Sequence, residues 1–105
     1  MSRYRDVVTA DLRLTVLHVL DASPAYRLAV PLLHQLLLAN GAAVSEAGLR
    51  RELEWLQSAG LVLVELGYGG GAALTQAGQD CANGRSRIEG VRRLRPGEDA
   101  ALRDA

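Results

Sequence analysis

A mainly α-helical domain carrying one small β-hairpin is what this sequence predicts, and three observations predict it. Apolar residues recur at helical spacing in successive stretches of the first half of the chain. One β-branched run, LVLVEL at residues 61–66, has the length of a strand and runs into the turn Gly67-Tyr68-Gly69-Gly70-Gly71. The chain has 105 residues, enough for one domain with one ordinary core and too few for two.

The first helix is expected from about Tyr4 to Ala22, with Val8, Leu12, Val16, Val19 and Leu20 as its buried stripe. Asp21 to Pro24 ends it, because the residue before a proline is pushed out of helical geometry. A short extended piece, Tyr26–Leu28, follows. Pro31 suits the first turn of a second helix, where its missing N–H costs nothing, and Leu33, Leu36 and Leu37 form that helix's apolar stripe. Asn40-Gly41 is a left-handed stop. Ser45 is a natural N-cap for a third helix, whose Leu49, Leu53 and Leu56 recur at i, i+4 and i+7 until Gly60 ends it. Ala72–Leu74 returns from the glycine turn as a second short strand, and Thr75 caps a fourth helix that stops at Asn83-Gly84.

Composition narrows the class. The chain is 49% hydrophobic and 23% charged, which fits a globular protein rather than a disordered one. Its 12 basic and 12 acidic residues cancel, so bulk attraction to polyanions of the histone kind is excluded. Charge is unevenly placed, however. In GRSRIEGVRRLRPG, residues 84–97, Arg85, Arg87, Arg92, Arg93 and Arg95 face only Glu89. The sequence therefore divides into a folded unit over residues 1–84 and an arginine-rich, extended C-terminal arm over 85–105. MSRYRDVV lacks the apolar core of a signal peptide, and no run approaches the ~18 apolar residues of a membrane span. A cytoplasmic protein without membrane contact is the expectation.

The second helix, the turn Gly41-Ala42-Ala43-Val44 and the third helix have the order of a helix-turn-helix, and the hairpin that follows has the place of a wing. LRRELEWLQSAGLVLVEL (49–66) followed by ALTQAGQDCANGR (73–85) resembles winged-helix families with an L-x-W-L-x-x-x-G-L-V junction before L-T-x-x-G. The sequence is closer still to a small family of Mu-like phage and prophage proteins, often labelled ArsR-like. The matching residues are Arg13-Leu14-Thr15-Val16-Leu17, Trp55-Leu56, Gly60-Leu61-Val62, Leu74-Thr75, Gly78, Ala82, Gly84, Gly90-Val91-Arg92 and Arg95-Pro96. The resemblance covers about residues 10–97 and implies a winged helix; as a fold-level likeness it says little of activity. The metal-sensing cysteine pair of ArsR proteins is absent from the third helix.

At ~100° per residue from Leu49, the face opposite the leucines holds Ala47, Arg51, Glu54 and Ser58, with Arg50 at its edge. In a docked winged helix these positions meet the major groove, where arginines contact guanine edges or phosphates and Ala47 a thymine methyl. Glu46, Glu52 and Glu54 oppose this and make the helix net −1; Glu46 and Arg50 are spaced for an intrahelical pair. The wing tip, GYGGG, offers no arginine, and Tyr68 is expected to lie back over the sheet. Trp55 falls on the flank, where it packs at the core edge, under the arm or against a second subunit. Arg85, Arg87, Arg92, Arg93 and Arg95 are the candidate phosphate contacts, since arginine neutralises phosphate without reading bases.

The small residues Ala77, Gly78, Cys81 and Ala82 of the fourth helix permit close helix approach. Because the first and last helices commonly make the interface of winged-helix dimers, the resemblance implies helices one and four as a candidate homodimer seam, and a monomer would use the same face for its own core. His18 and His34 stand alone, without HExxH or paired carboxylates, and Cys81 is flanked by small residues as a buried, inert thiol would be. No enzyme activity, cofactor, metal or small-molecule ligand is therefore expected. The functional expectation is a DNA-binding regulator of the phage type, with a protein-binding adaptor of the same fold as its rival.

Overall fold

The computed structural model describes residues 3–67 and 70–94. They form α1 (Arg3–Asp21), a 3-10 turn (Pro24–Tyr26), β1 (Arg27–Ala29), α2 (Val30–Ala39), α3 (Glu46–Ser58), β2 (Val62–Glu65), β3 (Gly71–Leu74) and α4 (Gln76–Ala82). The architecture is mainly helical, with one small antiparallel sheet. That sheet has three strands in the order β1-β3-β2, not the two of a simple hairpin. The extended piece expected before α2 is its third strand, pairing Arg27 with Ala73 and Ala29 with Gly71. Ala25 and Tyr26 turn the chain into this strand at φ of 55° and 59°, left-handed geometry that side chains adopt at a cost of ~1–2 kcal/mol each. The small central strand, Gly71-Ala72-Ala73, accepts neighbours on both edges.

The ends of the helices follow local chemistry. Ser45 accepts a hydrogen bond from the Gly48 N–H at 2.9 Å and starts α3. Thr75 accepts from the Gly78 N–H at 3.0 Å and donates to the Gly60 carbonyl at 2.7 Å, tying the start of α4 to the end of α3. Gly78 must be glycine, because a Cβ there would stand 2.0 Å from the Leu61 carbonyl oxygen.

α1 lies at the centre and packs against α4, α2 and β3. Its buried residues are Leu14, Val16, Leu17 and Leu20. The expected stripe is thus rotated: Val8 is exposed, and Leu12 and Val19 only border the core. A helix with neighbours on several sides buries a wider arc than one apolar stripe indicates. Leu33 and Leu37 of α2 and Leu49, Leu53 and Leu56 of α3 are fully enclosed, as their spacing requires, while Leu36 is half-buried.

The described part of the C-terminal segment differs from an extended arm. Val91 is buried, and Ile88 and Leu94 pack on the same core. Residues 84–94 form a compact loop whose ends meet: a Cβ on Gly84 would lie 3.2 Å from Leu94 Cδ1. Three apolar residues among the arginines are enough to bring the segment down, because each exchanges water for the flank of α1 and α4. Among the described residues, no helix is long and apolar enough to cross a membrane.

Candidate nucleic-acid interface

With Leu49, Leu53 and Leu56 inside, α3 turns Ala47, Arg50, Arg51, Glu54 and Ser58 to solvent, and all are exposed. The angular reading of this helix is reproduced residue for residue. Arg50 donates to Glu46 at 3.2 Å, an i, i+4 pair with each side chain 45% exposed and so of small energetic weight. The same guanidinium leans toward the hairpin, where a Cβ on Gly70 would lie 3.1 Å from Nη1. Ser58 Oγ donates to the Trp55 carbonyl at 2.6 Å, closing the helix's own end. Arg51 makes no hydrogen bond or ion pair among the described residues.

The acidic count of α3 overstates the negative charge on its exposed face. Glu52 is turned away from the exposed face and accepts from Arg13 Nε at 2.7 Å, with both side chains largely covered. Glu46 is engaged with Arg50. Among the described residues, Glu54 is the acidic residue of that face with no ion pair, against two arginines.

Arg13 organises the flank of α3. Its guanidinium stacks over the Trp55 ring at 3.7 Å from the centroid and donates from Nη1 to the Gly90 carbonyl at 3.1 Å. α1, α3 and the C-terminal loop therefore meet at one cation–π contact, worth roughly 0.5–2 kcal/mol. Gly90 sits directly on the indole, at φ 98°, where a Cβ would come within 2.8 Å of the ring. Trp55 is thus covered by this chain's own loop. No local signal marks the arrangement, since Arg13 reaches partners 39 and 77 positions away.

The arginines of the loop divide into two sets. Arg85 pairs with Asp80 at 3.1 Å, and Arg92 with Asp11 at 2.6 Å while its N–H donates to the Ala10 carbonyl. These two hold the loop to α4 and α1. Arg87 and Arg93 are exposed, and neither side chain has an ion pair among the described residues. Arg95 and the wing-tip Tyr68 lie outside the described residues.

Helix four does not present its small residues outward. Gly78, Cys81 and Ala82 are buried in the chain's own core, and only Ala77 of the four faces solvent. That leaves the outward face of α1, with exposed Tyr4, Val7 and Val8, as the part of the suggested helix-one and helix-four seam still open. Cys81 is covered by the loop, and burial pushes its thiol pKa up despite a hydrogen bond from the Ile88 N–H. His18 Nε2 donates to the Ala82 carbonyl at 2.8 Å and His34 Nε2 to that of Val44 at 2.7 Å, so both rings tie helices to neighbouring segments. Among the described residues, no group of three or more His, Cys, Asp or Glu is arranged to hold a metal ion.

No family model matches the chain, and no solved structure matches it. Its sequence is 38% identical over 93 residues to the uncharacterized protein gp26 of Escherichia phage Mu, an alignment covering 87% of this chain and 95% of that protein.

Proposed function

This chain belongs to the family of gp26 of Escherichia phage Mu, and from that premise we propose that it is a winged-helix DNA-binding protein, a transcriptional regulator of the phage type. In this reading α2 and α3 are the helix-turn-helix, β2 and β3 are the wing, and β1 completes the sheet behind it. The observation that carries it is the exposed face of α3. Its two arginines face solvent, Arg51 makes no hydrogen bond or ion pair among the described residues, and Glu52, one of the three acidic residues that oppose a DNA surface, is drawn away by Arg13.

Arg51 is the base-reading candidate, because an exposed guanidinium on this face can take two acceptors of a guanine edge. Arg50, Ser58 and the loop arginines Arg87 and Arg93 are the phosphate contacts, which set register without reading sequence. The protein is no enzyme in this reading and needs no cofactor. Gel shifts with a pool of random duplexes, at low and moderate salt, test it. Selection of a preferred site supports the proposal. No shift at either salt favours the adaptor reading, for which the exposed Tyr4, Val7 and Val8 of α1 are the supporting observation.

A further inference from the structure

The C-terminal loop encloses more than a hydrophobic contact. Between its two arms lies a cavity of about 120 Å³, lined by Ser86, Arg87, Arg92 and Arg93, with Cys81 and Val91 among its apolar lining. We infer that this cavity is a seat for a single phosphate group, supplied by the backbone of duplex DNA; the source of the phosphate, though not the seat, rests on the DNA-binding reading above.

Three features carry the inference. The loop is short and closed at its base by Gly84 and Leu94, and its far turn is held by the Arg13–Gly90 hydrogen bond and the Trp55 ring. The backbone positions that carry the arginines are therefore fixed before any ligand arrives, which lowers part of the entropy cost of binding. Second, among the described residues the charge at the cavity is unbalanced. Arg92 is engaged by Asp11, whereas Arg87 and Arg93 have no carboxylate among the described residues. Third, the donors suit an oxyanion. Planar N–H forks match phosphate oxygens in pairs, and the Ser86 hydroxyl can donate to a third. The cavity has room for one tetrahedral anion.

A seat of this kind differs from a charged tail in a measurable way. A tail with several free arginines would contribute several released counterions, whereas one seat contributes about 0.9 to the log–log salt slope of duplex binding. Inorganic phosphate, exchanged for chloride at fixed ionic strength, is the probe for the seat itself, read by amide shifts of the full-length protein. Wild type is expected to show saturable shifts concentrated in residues 84–94. In the double variant Arg87→Ala/Arg93→Ala they should weaken at least roughly tenfold. Both side chains are exposed and make no ion pair among the described residues, so helical content and melting temperature should stay at the wild-type values. The same variant should lower the duplex salt slope by about one unit and weaken all duplexes alike. Absence of saturable shifts, or shifts that survive the double substitution, overturns the seat even if duplex is bound. Saturable phosphate binding by a protein that ignores duplex upholds the seat and overturns DNA as the source of its phosphate.

Discussion

At the residue scale, the junction of Gly90, Trp55 and Arg13 is a sensitive point outside the leucine core. Gly90→Ala places a methyl group against the indole and the Arg13 guanidinium and imposes left-handed backbone on an L side chain. The expected cost is about 1–3 kcal/mol in a urea melt, with tryptophan emission shifted to the red as the loop lifts. Unchanged emission would mean that the loop does not cover Trp55. Cys81 gives a pH test of the same covering. Burial raises its pKa above the ordinary 9.0, so the folded chain holds the proton more tightly than the unfolded one. That contribution is fully present below pH 9.0 and is lost as pH rises from there through the folded value. Stability should therefore fall more steeply above that pH in wild type than in Cys81→Ala, measured by parallel urea melts.

At the scale of elements, α3 serves two ends with its two faces. Leu53 is enclosed at the centre of the α2–α3 packing, and Leu53→Ala should cost ~2–5 kcal/mol by chemical denaturation. A loss under about 1 kcal/mol would contradict its enclosure. On the opposite face, Arg51→Ala should leave the melt unchanged, because the side chain makes no hydrogen bond or ion pair among the described residues. It should cost about 1–3 kcal/mol on the best duplex site and less on random duplex. An equal loss on both substrates would make Arg51 a phosphate contact. The two substitutions lie on one helix, yet they separate packing from recognition.

At the scale of the whole molecule, the C-terminal segment is part of the body as far as residue 94. Removing residues 85–105 takes away Ile88, Val91 and Leu94 and uncovers Trp55 and Cys81. At about 1.5–3 kcal/mol for each large apolar side chain fully buried, and less for the half-covered ones, a loss of about 3–6 kcal/mol is expected. Thermal melting should show it as a lower midpoint, together with redder tryptophan emission. A truncated protein with unchanged melting and emission would return the segment to the status of a free arm. Loss of duplex binding by that truncation would therefore not isolate the charge, and the double substitution of Arg87 and Arg93 is the cleaner probe.

Much of this could be read along the chain, where the cause is local. Ser45 and Thr75 announce helix starts because a hydroxyl two or three residues before an unpaired N–H can satisfy it in any context. Leu49, Leu53 and Leu56 announce the buried face of α3, and with it the exposed set from Ala47 to Ser58, because helical periodicity needs no tertiary information. What depended on distant partners was hidden. The third strand exists because β3 offers a second edge to Arg27–Ala29. The stripe of α1 is rotated because α4, α2 and β3 surround that helix. Glu52 belongs to the acidic count of α3, and only Arg13, far off in the sequence, turns it away from the candidate interface. The arginine-rich segment has the local character of an arm, because charge density is visible along the chain. Its folding onto Trp55 rests on three apolar residues and one glycine, whose partners only the tertiary structure supplies.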